Sequence, residues 1–375
     1  MKIKDICTSV TDGSHNPPQG IEKSQYMMLS SKNIFDDEIT FDEPRFLSEK
    51  DFEREHKRTK IAVGDVLLTI VGTVGRTAVV DEDMPAFALQ RSVAVLHPKN
   101  DVCLPRFLMY ALRGKRTYIA NRAKGVAQKG IYLKEVSDID IYIPDISNQE
   151  IIINKLDKVN AIIKLRQEEL LALDNLIKAR FVELFDGKYP EDTLLNLCNI
   201  VDYRGKTPEK VEHGLPFITA KNVKMHHMTL EPREYISKET YDKVMVRGFP
   251  KEGDVVFTTE APLGNVCRIP HFDTEFYIGQ RIVTMQTDAL NPTYLEYALS
   301  DEEFVRKYMG KSSGSTVTGI RVRLLEQLTI PVPARTLQDE FSTFVNQVDK
   351  SKVAVQKALD EIQMLFDSLM QEYFG

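Results

Sequence analysis

Two stretches of this chain carry apolar residues at alternating steps of three and four, which keeps one face of a helix against a partner helix. The stretches are residues 147–187 and 336–375. A helix of that length measures roughly 60 Å, too long for the interior of an ordinary domain. We therefore predict two long helices that pair antiparallel. The seam positions are Leu156, Val159, Ile163, Arg166, Leu170, Leu173, Ile177, Arg180 and Leu184 in the first, and Phe341, Val345, Val348, Lys352, Val355, Leu359, Ile362, Phe366, Leu369 and Tyr373 in the second.

The predicted helices also begin alike. Ser147 and Glu150 have the spacing of a capping box, in which each side chain satisfies a free backbone N–H. Thr336 and Asp339 stand 189 positions later at the same spacing. Gly187 marks the predicted end of the first helix, because glycine commonly follows a helix C-terminus.

The stretches that precede the two helices repeat each other as well, which indicates one structural unit present twice. The offset stays between 187 and 190 residues over the whole unit. The matches include Lys32-Asn33 with Lys221-Asn222, Gly64-Asp65-Val66 with Gly253-Asp254-Val255, Gln90-Arg91 with Gln280-Arg281, Pro105 with Pro292, Pro144 with Pro333 and Gln149 with Gln338.

The predicted fold is α+β. It comprises two similar globular α/β domains separated by two long helices that form an antiparallel coiled coil, with pseudo-two-fold symmetry. The predicted boundaries are 1–146, 147–187, 188–335 and 336–375. Short apolar runs and turn residues predict strands at 66–71, 77–80, 139–143 and 254–259. Short helices are predicted from Pro105 to near Gly114 and from Pro292 to Ala298.

Composition narrows the class of protein. The chain has 375 residues, 42% apolar content and a net charge of −6, and it contains no apolar run of bilayer-spanning length. The N-terminal sequence lacks a signal-peptide core, and the four cysteines are scattered without a metal-binding spacing. We expect a cytoplasmic protein with no bound metal and no cofactor. The acidic balance argues only weakly against nucleic-acid binding, because the clustering of basic residues matters more than their sum.

No catalytic constellation is evident. Asn16-Pro17-Pro18-Gln19 is similar to the Asn-Pro-Pro-aromatic loop that holds a flipped base in amino-methyltransferases, but Gln19 replaces the aromatic residue. The Gly72-Thr73-Val74-Gly75 segment lacks the Lys-Ser/Thr of a phosphate loop. Both segments are interpreted as turns, and no catalytic residue is predicted.

Loops of both domains instead carry residue types that suit DNA reading. Lysine neutralises phosphates, small residues permit close approach to a backbone, and Arg and Gln read guanine and adenine edges. The loop from Lys124 to Gly130 is taken to correspond to the one from Lys311 to Gly319, and these loops diverge while the framework matches. The candidate DNA-binding residues are His15, Lys32, Asn33, Arg76, Gln90, Arg91, Lys124, Gln128 and Lys129 in the first domain, and Arg204, Lys206, Lys221, Asn222, Arg268, Gln280, Arg281, Lys311, Ser312, Thr316 and Arg321 in the second.

The ordered, duplicated motifs resemble one family over the entire length: the specificity (S) subunits of type I restriction-modification systems. The first copy carries Thr11-Asp12-Gly13-Ser14-His15-Asn16-Pro17, Gly64-Asp65-Val66-Leu67, Gly75, Gln90, and Ile143-Pro144 before Gln149; the second carries Asp202-Tyr203-Arg204-Gly205-Lys206-Thr207-Pro208, Gly253-Asp254-Val255, Gly264, Gln280, and Pro333 before Gln338. The second copy departs from the His-containing motif, which leaves the role of His15 open.

The resemblance implies two target-recognition domains, each of which binds half of a split double-stranded DNA site. It also implies that the helices set the gap, that two modification (methyltransferase) subunits and then restriction (motor-nuclease) subunits dock, and that the chain itself performs no catalysis. No membrane partner is expected.

Two other classes remain open from the residues. A self-contained methyltransferase or fused restriction enzyme would need a cofactor loop and an aromatic residue after Asn16-Pro17-Pro18. A coiled-coil scaffold without DNA binding accounts for the heptads and the acidic balance, but not for two divergent, loop-rich domains.

Overall fold

A computed structural model describes residues 1–125, 130–187, 189–205, 208–313 and 318–375. The chain divides into two units. Unit 1 comprises Met1–Glu168 and Gln356–Gly375, and unit 2 comprises Glu169–Val355. Each unit thus contains one globular domain and a segment of each long helix.

The elements up to the first long helix are α1 (Ile3–Ile6), β1 (Cys7–Asp12), β2 (Met27–Leu29), β3 (Ile34–Phe35), β4 (Glu38–Ile39), β5 (Arg45–Phe46), α2 (Glu49–Thr59), β6 (Val66–Thr69), β7 (Thr77–Val79), β8 (Phe87–Leu89), β9 (Val93–Pro98), α3 (Pro105–Gly114), α4 (Arg116–Arg122), α5 (Leu133–Ser137) and α6 (Ile146–Phe185).

The elements that follow are β10 (Glu191–Thr193), α7 (Leu194–Leu197), β11 (Asn199–Asp202), β12 (Lys210–Val211), β13 (Leu215–Ile218), β14 (Val223–Lys224), β15 (His227–Met228), β16 (Tyr235–Ile236), α8 (Lys238–Val244), β17 (Val255–Thr258), β18 (Val266–Arg268), β19 (Tyr277–Ile278), β20 (Ile282–Gln286), α9 (Pro292–Ser300), α10 (Glu302–Met309), α11 (Val322–Leu325), β21 (Thr329–Pro331) and α12 (Arg335–Phe374).

The two units repeat one sheet topology. A four-stranded antiparallel sheet has the order β1-β9-β6-β7 in unit 1 and β11-β20-β17-β18 in unit 2. Beside it, β2 pairs parallel with β8 and β13 pairs parallel with β19. The prediction of two similar mixed domains with two long helices is confirmed.

The repeated Gly-Asp motif explains where the central strands begin. Gly64 and Gly253 have φ angles of +86° and +84°, a left-handed conformation that glycine adopts without steric cost. The strands β6 and β17 follow directly and are buried along their entire length. The predicted strands at 66–71, 77–80 and 254–259 match β6, β7 and β17, and the predicted short helices match α3 and α9.

Both long helices contribute to the core of each unit. In unit 1, Leu156 and Ile163 of α6 and Phe366 of α12 are buried with α3 in one apolar cluster. In unit 2, Ile177 of α6 and Phe341 of α12 are buried with the apolar residues of α9. Apolar burial of this kind stabilises by about 25 cal/mol per Å², so the helices are integral to each domain.

Polar contacts link the two helices within each unit. In unit 2, Arg180 bonds Glu340 at 2.6 Å and Lys352 bonds Asp174 at 2.5 Å, so the two segments run antiparallel. In unit 1, the Lys155 ammonium donates to the hydroxyl of Tyr373 at 3.1 Å. Heptad seams with flanking polar pairs are the usual arrangement of paired helices.

Two local predictions were wrong. The first helix begins at Ile146, so Asp145 precedes it and accepts the backbone N–H of Asn148 at 2.8 Å, in place of the predicted Ser147–Glu150 box. The second begins at Arg335, so Thr336 lies inside it rather than at its cap. Residues 139–143 form no strand, and only an isolated bridge joins Asp140 to Lys2, because the pairing with the N-terminal residues stops where α1 begins at Ile3.

The repeated glutamine near the start of each long helix is a buried anchor. Gln149 is fully buried; its carbonyl accepts the Leu104 N–H, and its amide donates to the carbonyls of Val102 and Pro144, all at 2.9 Å. Gln338 makes the equivalent bonds in unit 2, from the Asn291 N–H and to the Pro333 carbonyl, both at 2.8 Å. The motif therefore fastens the start of each long helix to the loop before α3 or α9.

A hairpin tip is held against neighbouring helices in both units. Asp37 has φ +60° and accepts from Arg106 of α3 at 2.9 Å and from Asn160 of α6 at 2.8 Å. At the equivalent tip in unit 2, His226 has φ +62° and contacts Glu296 of α9 at 2.9 Å. The same backbone position thus uses different side chains in the two units.

One further framework position also differs chemically between the units. The Asp65 carboxylate, which accepts the Ala62 N–H, also contacts the His97 imidazole at 2.7 Å. In unit 2 the equivalent Asp254 accepts from the amide of Gln286 at 2.7 Å. The hydrogen bond to Asp65 raises the pKa of His97, and partial burial opposes that shift without reversing it.

Among the described residues, no helix combines the length and the apolar character that crossing a bilayer requires.

We predict that Gln149→Ala destabilises unit 1 by about 3 kcal/mol, because it leaves buried backbone groups unsatisfied. The measurement is the unfolding midpoint in denaturant. Gln167→Ala, at an exposed position of the same helix, is the matched control and should change stability by less than about 0.5 kcal/mol. Equal effects of the two substitutions would contradict the anchoring role.

We also predict a pH dependence that arises from His97 in unit 1. Because folding raises the pKa of His97, its contribution to stability is fully present below the unfolded value of about 6.5 and is lost as pH rises through the folded pKa. His97→Gln, which copies unit 2, should flatten this decline in thermal midpoint between pH 6 and 8.5. Gln286→His should introduce the same decline in unit 2. An unchanged pH profile in both variants would refute the assignment of this pH dependence to the contact between His97 and Asp65.

Candidate nucleic-acid interface

In unit 1, backbone hydrogen bonds bring the predicted loops to one edge. Ser14 bridges Gln90, and the Arg91 N–H donates to the Ser14 carbonyl at 3.0 Å. The Gln90 N–H donates to the Leu29 carbonyl at 2.9 Å, which places the turn after β2 beside them. These contacts make neighbours of segments that lie far apart in the sequence.

The remaining loop of unit 1 joins the same edge. The Ile131 N–H donates to the Ile70 carbonyl at 2.9 Å, Gly130 bridges Val71, and Lys124 bridges Gly130. We call this set of segments the first loop edge. It comprises residues 13–15, 30–32, 71–75, 90–92, 124–125 and 130.

Close backbone approach explains the glycine of the opening motif. A Cβ on Gly13 would lie 2.1 Å from the Leu89 carbonyl oxygen, a distance that no side chain tolerates. Glycine permits such contact between two backbones. The Ser14 N–H then donates to that same carbonyl at 2.7 Å, so Gly13 lets the segment with His15 approach β8.

Unit 2 has an equivalent edge. The Thr259 N–H donates to the Arg281 carbonyl and the Ile320 N–H donates to the Thr259 carbonyl, both at 2.9 Å. Arg204 donates to the Thr259 hydroxyl at 3.4 Å. We call this set the second loop edge: residues 203–205, 219–221, 259–264, 279–281, 311–313 and 318–321. Thr259, which links three of its segments, was not singled out from the sequence.

Most candidates of unit 1 lie on the first loop edge. His15 is exposed and its imidazole contacts Asp12 at 2.8 Å. Gln90 is half-buried beside its backbone bridge. Arg76 lies just beyond the edge, where its guanidinium is 4.8 Å from the Phe35 ring centre. The exposed cations of the edge are Lys32, Arg91 and Lys124.

The second loop edge collects the candidates of unit 2. Arg281 is exposed and its guanidinium lies 3.3 Å from the Glu260 carboxylate. Ser312 and Gln280 are half-buried. The other exposed candidates are Arg204, Lys221, Lys311 and Arg321.

The two candidate asparagines have buried side chains. The Asn33 carbonyl accepts the Ser30 N–H at 3.1 Å, and its amide donates to the Asp42 carbonyl at 2.9 Å. Asn222 makes the equivalent bonds to Thr219 and Pro232. Both side chains therefore hold a turn, and neither offers a free hydrogen-bonding edge to a ligand.

Arg268 lies apart from the other candidates. It pairs with Val255, at the opposite end of β17 from the loop edge. Its guanidinium bonds the buried Glu296 at 2.6 Å and lies 3.8 Å from Asp349. This side chain joins β18 to α9 and α12. Four further candidates lie outside the described residues: Gln128, Lys129, Lys206 and Thr316.

The structure corrects the correspondence of the variable loops. Bridges close the loops between Lys124 and Gly130 in unit 1 and between Ser313 and Gly319 in unit 2. Lys124 therefore corresponds to Ser313, and Lys311 lies in the longer stretch between the end of α10 and that bridge. The sequence comparison aligned the two lysines because of their identity, whereas the backbone pairing sets the correspondence.

An ion pair supports the turn at the first loop edge. Arg116 donates to the Gly75 carbonyl at 3.1 Å and also bonds the Asp36 carboxylate. Burial opposes ionisation of Asp36, but the hydrogen bond from Arg116 and the charge of Arg113 outweigh it, so the pKa of Asp36 lies below its usual value. Asp36 thus remains charged near neutral pH and stabilises the turn beside the basic loops.

Within the described ranges, no cluster of three or more His, Cys, Asp or Glu side chains is arranged to hold a metal ion.

Comparison with known protein sequences identifies relatives of this chain. Residues 1–175 match the family described as "Type I restriction modification DNA specificity domain". The chain is 27% identical over 191 residues to the type I restriction enzyme EcoBI specificity subunit of Escherichia coli, a match that covers 49% of this chain and 39% of that relative. It is 22% identical over 314 residues to the MjaVIII specificity subunit of Methanocaldococcus jannaschii, covering 74% of this chain and 72% of that relative.

Solved structures resemble this fold along the whole chain. The S subunit of a type I restriction-modification system from M. genitalium has a TM-score of 0.57 at 14% identity and covers 100% of this chain and 95% of its own. A chain from a study of complex assembly and conformational transition of the type I R-M system has a TM-score of 0.55 at 18% identity, covering 100% and 96%. At these identities the likeness shows the fold. The sequence matches confirm the resemblance inferred from the motifs.

Proposed function

We propose that this chain, a relative of the specificity subunits of type I restriction-modification systems, reads a two-part DNA site with its two loop edges. The first loop edge reads one half-site and the second loop edge reads the other. The observation that carries this proposal is a single backbone framework present twice, with shared edge residues such as Arg91 and Arg281 and different ones such as Lys124 and Ser313. Two edges with one framework and partly different side chains suit a target whose halves differ in sequence.

The exposed side chains of each edge have the chemistry that duplex DNA requires. Arg91 and Arg281 can donate two parallel hydrogen bonds to a guanine edge. The exposed lysines can neutralise backbone phosphates, which supplies affinity without sequence preference. Asn33 and Asn222 hold their turns, and we assign them a framework role. We propose that Arg268 supports α9 through its bond to Glu296.

We further propose that α6 and α12 set the gap between the half-sites. In this proposal two modification subunits dock on the duplicated framework, restriction subunits join them, and the chain performs no catalysis of its own. The duplication supports two similar docking surfaces, since each unit contains the same elements in the same order. A methyltransferase at each unit could then reach one adenine on each strand.

The decisive experiment is a genome-wide map of adenine methylation in cells that contain the methyltransferase partner, with and without this chain. We expect a two-part motif with a fixed gap only when the chain is present. Arg91→Ala should relax the first half of the motif and Arg281→Ala the second, each by about 1–3 kcal/mol of base discrimination. The two variants are matched controls for each other.

An identical methylation pattern with and without the chain would contradict the proposal. Relaxation of the same half-site by both variants would contradict the assignment of one half to each edge.

Shortening both helices tests whether they set the gap. Deleting residues 165–171 and 355–361 removes one heptad from each helix, about 10 Å of length. We expect the gap in the methylated motif to shorten by about three base pairs, the length of duplex with that rise. A heptad deletion largely preserves the face of the helix that forms the seam. Methylation with an unchanged gap would refute the role of the helices as a spacer.

A further inference from the structure

One segment of unit 1 departs sharply from the acidic balance of the chain. Residues 102–134 contain eight lysines and arginines and no aspartate or glutamate, whereas the chain as a whole has a net charge of −6. The equivalent residues of unit 2, 291–323, contain five lysines and arginines and four acidic residues. The two copies therefore differ by seven charges in one segment. Such a local excess matters for binding because potentials depend on where charges cluster.

Some of these cations are paired within unit 1. Arg106 bonds Asp37 and Asp157, and Arg116 bonds Asp36. Such pairs neutralise the inner face of α3 and the start of α4. Their role is to position the helices, and they leave little charge for an external ligand.

Two other cations flank α4: the half-buried Lys115 immediately precedes it and the exposed Arg122 ends it. Ile119 is fully buried and attaches the helix to the core. Lys115, Tyr118 and Arg122 follow one flank of the helix at steps of three and four, a spacing that places side chains beside one another. The Arg122 guanidinium lies 4.3 Å from the ring centre of Tyr118, which is 39% exposed. In the described part of the chain, neither Lys115 nor Arg122 has a carboxylate partner.

This flank continues the first loop edge. Arg116, at the start of α4, donates to the Gly75 carbonyl. Lys124, two residues after the end of α4, pairs with Gly130, which bridges Val71. Cations on the flank would therefore lie beside any duplex bound to that edge.

We propose that Lys115, Arg122 and Lys124 form a basic flank in unit 1 that binds backbone phosphates of the DNA next to the first half-site. The inference rests on the proposed function and extends it to residues that read no base. The contact between the Tyr118 ring and the Arg122 guanidinium restrains that side chain before binding, which reduces the side-chain entropy lost on binding. The flank gives unit 1 the larger share of salt-dependent affinity.

The equivalent helix of unit 2 lacks this property. α10 begins with Glu302 and Glu303, which are exposed. Its Lys307 pairs with Glu191 and Glu303, both at 3.2 Å. Acidic side chains repel phosphates and the lysine is already neutralised. Unit 2 therefore relies on its loop edge alone for DNA contact, and the duplicated fold binds its two half-sites with unequal electrostatics.

The test measures how salt weakens binding of the full chain to a short fluorescent duplex of arbitrary sequence. Each phosphate contact contributes about −0.9 to the slope of log affinity against log salt. For the double variant Lys115→Gln, Arg122→Gln we expect the slope to become less steep by about 1.8. Between about 50 and 200 mM salt, the wild type should then lose about tenfold more affinity than the variant.

Two controls separate charge from structure. Arg306→Gln removes an exposed cation from α10 of unit 2 and should leave the slope unchanged. Arg122→Lys retains the charge and should keep most of the wild-type slope. A thermal midpoint equal to that of the wild type shows that the double variant is folded.

The outcomes are distinguishable. If the folded double variant keeps the wild-type slope, the basic flank does not bind DNA phosphates, and the proposed function stays intact. The same result is expected if the flank binds an acidic protein instead. An equal loss of slope in Arg306→Gln overturns the asymmetry between the units. Failure of the wild-type chain to bind any duplex overturns the proposed function together with this inference.

Discussion

The burial of both long helices in the core of each unit is the constraint on which the structure depends. In unit 1, Phe366 of α12 packs with Tyr110 of α3, and Leu156 of α6 lies in the same cluster. In unit 2, Phe341 of α12 packs against Phe181 of α6 and Tyr297 of α9. A domain whose core includes helix segments from two distant parts of the chain cannot be separated from those helices without losing apolar burial. A change in the length of either helix would therefore also affect the cores of the domains.

The two copies keep one backbone and vary its chemistry. Asp37 and His226 occupy the same left-handed turn position, and His97 and Gln286 bond the same framework aspartate in their respective units. Backbone hydrogen bonds specify the positions of the loops, so side chains can change without moving the edges. This separation of framework from surface suits a protein whose two halves are proposed to read different sequences.

Local charge distribution says more about the proposed partner than the total charge does. The acidic sum comes from a surface of many paired and exposed carboxylates, whereas residues 102–134 concentrate cations on one segment. Asp36 and Asp37 neutralise those cations that support the fold. The cations that remain outward lie beside the first loop edge, where a polyanion could contact them.

The sequence by itself determined the duplicated architecture, the two long helices and the family resemblance, because heptad spacing and repeated motifs are local patterns. It also placed most candidates in loops that meet at two edges. Tertiary structure decided the rest. Burial turned Asn33 and Asn222 into supports of their turns, and an ion pair with Glu296 held Arg268 away from the edge. Loop bridges aligned Lys124 with Ser313 in the repeat. Each of these outcomes depends on hydrogen bonds and ion pairs that form only in the folded chain, which residue spacing does not encode.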